Sequence, residues 1–123
     1  MHLDKPILFL ATANAERSRE FYERVLGLAF VADEPPASVF QTGHSMLRIQ
    51  KVDRVQPAPY TAVGWAVSDI RSTVRRLTDA GVAFERYEGM TQDADAIWQA
   101  PSGALVAWFR DPDGHVLSLT QFK

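Results

Sequence analysis

The segments VLGLAF and DAGVAF recur along this chain, and laying one on the other pairs Gly27 with Gly81 and Phe30 with Phe84, an offset of 81 − 27 = 54 residues. A repeat of that length means that one supersecondary unit is built twice, so the fold has to be read as two copies of a module. Before the first glycine, PILFLAT is apolar and partly β-branched, and NAERSREFYERVLGL then changes to helical spacing with Phe21, Tyr22, Val25 and Leu26 on one face. Asn14 fits an N-cap and Gly27 a C-terminal stop. LAFVADE, SVFQTG and SMLRIQKV, parted by PP and GH, read as three strands joined by turns. The order then returns. YTAVGWAV reads as a strand, SDIRSTVRRLTDAG as a helix with Ile70, Val74 and Leu77 inward, and VAFERYEG as extended chain. GALVAWFR and HVLSLTQF close the chain around DPDG.

The expectation is an α+β fold of tandem βαβββ modules, the first over about 5–52 and the second over about 60–123, joined by the proline-bearing KVDRVQPAPY. MTQDADAIWQAPS interrupts the second copy as a long insertion, expected to form a lid or rim.

Composition narrows the function classes. With 46% hydrophobic residues in 123, one ordinary core can be buried without staples. Thirteen basic against fifteen acidic side chains give a net charge of −2, which recommends neither nucleic acid nor an anionic membrane as a partner. Cysteine is absent, so disulfides, thiolate metal sites and thiol nucleophiles drop out, and a reducing cytoplasm is the expected location. The start, MHLDKPILFLATANAERS, has too short an apolar run for a signal sequence, and no stretch is long enough to span a membrane.

The succession ERSREFYERVLGL, WAVSDIRSTVRRLTDAGVAF and FRDPDGHVLSLTQF resembles the vicinal oxygen chelate superfamily, the group of glyoxalases, bleomycin-resistance proteins and extradiol dioxygenases. The resemblance covers nearly the whole chain. From FERYEGM through IWQAPSG to VAWFRDPDG the chain is also similar to small bacterial members with no assigned activity, which lack the metal ligands. The resemblance implies two curved sheets forming an open, barrel-like groove with helices outside, and, by analogy, a homodimer. It also implies ligand positions for a divalent ion, normally His, Glu or Gln, which must converge within about 2.0–2.6 Å of the ion. Those positions fall on Ile7, Arg48, Ala62 and Ser118. Shifting the register by one brings in Leu8, Leu47, Val63, Leu117 and Leu119, Met46 is too soft a donor for the ions concerned, and shifting by two offers Gln50 and Thr120. No metal and no cofactor is therefore expected.

With the ion gone, inward positions become candidate ligand contacts. Alternation along the strands nominates Ile7, Phe9 and Ala11, then Ala62, Gly64 and Ala66, then Ser118 and Thr120, with Trp65 turned toward the helix. Arg48 is the candidate anchor for an anion; the competing reading pairs it internally with Glu85 or Asp33. Tyr87, Trp98 and Trp108 would stack on a planar ligand, and the competing reading places them in the core or a dimer contact. His2, His44 and His115 read as solvated turn residues, Asp111 and Asp113 as turn scaffold completed by Gly114, and Glu88, Asp93 and Asp95 as a solvated acidic loop.

The leading expectation is a metal-free protein binding a planar or anionic small molecule. The alternative is a glyoxalase-like lyase, isomerase or dioxygenase-type enzyme, either metal-independent or with relocated ligands. In the metal-independent case Arg48 would stabilise an oxyanion and Glu85, Tyr87 or His44 would move a proton. A collapsed groove serving as a protein adaptor is a further alternative, against which the small residues of AVGWA argue.

Overall fold

The computed structural model describes residues 1–123 and divides into two compact units, Met1–Pro57 and Ala58–Lys123. In the first, β1 (Ile7–Thr12) leads to α1 (Ala15–Arg19), which widens into π-helical turns over Glu20–Val25, followed by β2 (Ala29–Asp33), β3 (Ala37–Thr42) and β4 (Ser45–Lys51). The second repeats the plan with β5 (Thr61–Ala66), α2 (Ile70–Asp79), β6 (Trp98–Gln99), β7 (Leu105–Arg110) and β8 (Val116–Gln121). Strand order is β1-β4-β3-β2 in one sheet and β5-β8-β7-β6 in the other. Each unit closes with its last strand parallel to its first. The α+β architecture of two like modules is thus the observed one.

Local chemistry sets the helix ends. The Asn14 side chain accepts the Arg17 N–H at 3.1 Å, and Thr12 locks that corner by donating to the Asn14 carbonyl at 3.0 Å. Asp69 caps α2 by accepting from Ser72 N–H at 3.1 Å, and Gln121 of β8 accepts the Ile70 N–H at 2.9 Å. Gly27 and Gly81 hold φ of 75° and 101°, a region closed to most side chains, which is why both repeats keep glycine there. The widened part of α1 is marked by the Leu26 N–H, which donates to the Phe21 carbonyl five residues back at 2.9 Å.

One face of each sheet is packed by a helix. In the first unit Tyr22, fully buried, meets Phe40 at 6.0 Å between ring centroids, with Leu47 and Ile49 beside it in the core. In the second, Ile70, Val74 and Leu77 are buried as α2 packs on β7 and β8. Each such side chain contributes roughly 1.5–3 kcal/mol relative to exposure. Ser18, on the buried side of α1, leaves its hydroxyl without a partner. Ser18→Ala removes that unsatisfied group and favours the helix, so a gain of about 1 kcal/mol in unfolding free energy is expected from urea denaturation.

One strand expectation is corrected. VAFERYEG, 82–89, forms no strand: Glu85 N–H donates to Trp108 carbonyl at 2.8 Å, and the edge position is taken by the two-residue β6 from the insertion. Gln92 substitutes for the missing ladder, accepting the Tyr87 N–H at 2.8 Å and donating to the carbonyls of Glu85 and Ala96.

Candidate functional site

In a sheet, directly paired residues share a face, so the registers show which side chains the helix leaves uncovered. In the second unit Gly64, Ser118 and Trp108 form one row; Ala66, Thr120, Val106 and Trp98 form the next; Thr61, Val116 and Arg110 form the row on the other side. Gly64, Ala66, Ser118 and Thr120 therefore stand on one face, as the alternation indicated, and the registers add Trp98 and Trp108 to it. A bulge between Thr61 and Val63 disturbs the pattern at the strand's start. It puts the expected contact Ala62 at the extra position and brings in Thr61, whose Oγ1 accepts the Trp108 indole N–H at 3.2 Å. No local signal in YTAVGWAV marks the bulge.

Three aromatic rings meet on this face. Trp108 is central, with Tyr87 edge-on at 5.6 Å and Trp98 tilted by 39° at 6.0 Å. All three remain partly exposed, which leaves ring surface open to a ligand. Burial, with the Glu85 carboxylate adding to it and Arg110 opposing, holds the Tyr87 phenol above its ordinary value. The phenol is thus protonated at neutral pH, a hydrogen-bond donor unsuited to act as a base.

The insertion that supplies Trp98 is braced by hydrogen bonds and ion pairs, and its acidic residues are not simply solvated. Asp93 Oδ1 accepts the N–H groups of Asp95 and Ile97 at 2.9 and 3.0 Å, and Arg71 of α2 bridges Asp93 and Asp95 at 2.8 and 2.5 Å. Arg86 donates to the carbonyls of Asp93 and Ala94.

In the first unit the open face carries Ile7 opposite Met46, Phe9 opposite Arg48 and Ala11 opposite Gln50. Ile7 and Phe9 are 48% and 54% exposed. Arg48 sits in this row, and its Nη2 is 2.8 Å from Glu34 Oε1. The two partners named from sequence are engaged elsewhere, Asp33 with Lys51 and Glu85 with Arg110. Of the histidines, His2 and His44 are exposed, whereas His115 is buried at 8% exposure, its backbone N–H donated to Asp111 Oδ1. The solvated reading of His115 is corrected accordingly.

The donor set does not fit a divalent ion. The open face of the first unit carries aliphatic chains, a phenyl ring, a thioether, an amide and a guanidinium; that of the second has hydroxyls and indoles. Nowhere in the chain do three or more histidine or carboxylate side chains gather as a metal site needs. No helix is long and apolar enough to cross a membrane.

A family model described as the Glyoxalase/Bleomycin resistance protein/Dioxygenase superfamily matches residues 3–119. No curated protein sequence matches the chain. Among solved structures, the bleomycin resistance determinant encoded on transposon Tn5 superposes with a TM-score of 0.76 at 21% identity, covering 98% of this chain and 99% of that one. TnmS3, an antibiotic binding protein from Streptomyces sp. CB03234, gives 0.72 at 19%, covering 99% and 98%. Lactoylglutathione lyase from Agrobacterium tumefaciens gives 0.73 at 18%, covering 94% and 90%. At these identities the likeness is one of fold.

Proposed function

The chain belongs to the Glyoxalase/Bleomycin resistance protein/Dioxygenase superfamily, and from that premise we propose that it is a metal-free binding protein for a planar organic molecule. The observation that carries this reading is the convergence of Tyr87 and Trp98 on Trp108, with ring surface left exposed on the side of the sheet away from α2. Two of the similar structures are named for antibiotic resistance or antibiotic binding, which agrees with sequestration. Turnover is the weaker reading: Arg48 already faces a carboxylate at 2.8 Å, and the Tyr87 phenol is held protonated. An anionic ligand at Arg48 would have to displace Glu34, so the planar half of the reading takes precedence over the anionic half. Ala62, at the bulge of β5, remains a secondary contact in this reading. The protein is taken to be cytoplasmic and homodimeric, and light scattering on the 13.7 kDa chain checks the second point.

The test is thermal-shift titration of planar aromatic compounds against wild type, Trp108→Leu and Arg48→Ala. Trp108→Leu is expected to weaken binding about two- to tenfold, in line with the roughly 0.5–1.5 kcal/mol that aromatic geometry adds beyond area. Arg48→Ala should leave it within about twofold. Equal binding by wild type and Trp108→Leu, or stoichiometric zinc, iron, nickel or manganese in protein purified without chelators, would overturn the proposal.

A further inference from the structure

Ser118 lies at the centre of the second unit's open face, paired with Gly64 on one side and Trp108 on the other. It is only 7% exposed, yet no protein group is hydrogen-bonded to its hydroxyl. The oxygen itself is not sealed: Ser18 Oγ is a fully buried oxygen without a hydrogen bond and Ser118 Oγ is not, so the Ser118 hydroxyl keeps an opening onto the face, where a group from outside the protein can supply its bond. Gly64 is part of the same arrangement. A Cβ at that position would lie 2.4 Å from Ser118 Oγ, so glycine gives the hydroxyl its room.

Charge around the hydroxyl restricts what it can meet. Arg110, in the neighbouring row, is committed to Glu85 at 2.6 Å and to the Gly114 carbonyl at 2.9 Å. The rest of these rows is uncharged, Thr61 and Thr120 being the other polar members. An anion would find no free cation here, and a cation no free carboxylate.

Resting on the aromatic-site reading above, we propose that the Ser118 hydroxyl is the polar anchor of that site, and that the ligand class is an uncharged planar ring with one hydrogen-bonding group on its edge. The ring stacks at Trp108 and its edge group bonds Ser118 Oγ, the role a precisely placed polar group has in an otherwise apolar site. Specificity follows from the same bond, since a ring lacking the edge group leaves the hydroxyl unsatisfied.

The probes are indole, 1-methylindole and indole-2-carboxylate: one ring system with an N–H, without it, and with a charge. Each is titrated into the ¹⁵N-labelled full chain while the indole N–H resonances of the protein are followed, assigned through single Trp→Phe variants. Wild type is expected to bind indole about tenfold tighter than 1-methylindole, and more tightly than indole-2-carboxylate. Ser118→Ala should erase the preference for indole while leaving the dissociation constant for 1-methylindole within about twofold. Gly64→Ala, which crowds the hydroxyl, should also erase it, with the Trp108 resonance confirming an intact sheet. An indole preference that survives in Ser118→Ala, or indole-2-carboxylate binding as tightly as indole, overturns the anchor while leaving the aromatic site standing. If the Trp108 resonance moves with none of the three, the aromatic-site reading itself fails.

Discussion

Asp111→Ala is expected to lower the unfolding free energy by about 2–3 kcal/mol. The carboxylate is buried at 6% exposure in the turn between β7 and β8, where its Oδ1 accepts the N–H of Asp113 at 3.0 Å and of His115 at 2.9 Å. The same residue closes the hairpin through its backbone, accepting from Gly114 N–H at 3.0 Å and donating to the His115 carbonyl at 3.1 Å. Alanine keeps the backbone bonds and strands two donors, one of them on buried His115. Asparagine still offers an oxygen to both, so Asp111→Asn should retain roughly half of the lost stability. Urea unfolding with an unchanged m-value reads this directly, and a loss below about 0.5 kcal/mol for alanine would show the turn to be held by its backbone alone. Because the hairpin sets the register between Trp108 and Ser118, weakened ligand binding should accompany the stability loss.

The same residues show what local sequence can and cannot reveal. Turn chemistry is local, so DPDG announced Asp111 and Asp113 as scaffold, and period-2 and helical spacing placed seven of the eight strands and both helices in their right segments. What failed depended on partners far along the chain. VAFERYEG has the composition of a strand, but its ladder positions were lost to β6 from the insertion, and Gln92 took over its backbone bonds. Arg48 found Glu34, fourteen residues away across a turn, because the path of the chain between β2 and β3 decides which carboxylate arrives. Thr61 joined the site through a bulge, which shifts one strand by one residue and has no reliable composition. His115 follows a turn motif usually open to water, and here it is packed inside.

Alternation along the strands places Gly64, Ala66, Ser118 and Thr120 on a common face, because it is a property of every extended chain, whereas Trp98 and Trp108 join that face through the pairing of β6 and β7. The meeting of Tyr87 with Trp108 was less legible. Tyr87 belongs to no strand, and it is brought to Trp108 by the Glu85 N–H bond to the Trp108 carbonyl together with the Gln92 bridge. The polar core of the insertion thus decides the shape of the aromatic site, which makes the acidic loop a positioning element.

Asp93→Ala should expose that dependence. Its Oδ1 holds the N–H groups of Asp95 and Ile97, its Oδ2 holds Arg71, and Ile97 and Ala96 are buried behind it at 4% exposure each. Stranding the Ile97 donor costs about 1–3 kcal/mol, expressed locally as opening of residues 92–99 before the rest of the unit unfolds. Trp98, two residues after Ala96, then loses its fixed place beside Trp108, and binding of planar compounds should weaken severalfold. Arg71→Ala, which removes an exposed ion pair and leaves the turn bonds in place, should have a much smaller effect on both. Acid should mimic the first variant. Burial acts to raise the Asp93 carboxyl, but the Arg71 hydrogen bond and the Ile97 and Asp95 N–H groups outweigh it and hold it below its ordinary value. A depressed folded value means the stabilisation is complete above about pH 4 and is lost as pH falls through that lower value. Amide exchange at Ile97 and Trp98, corrected for intrinsic rates, should therefore accelerate below about pH 4 in wild type and be fast at all pH values in Asp93→Ala. Equal protection in the two proteins at pH 7 would show that the insertion is held by its buried apolar residues, with no part played by the carboxylate.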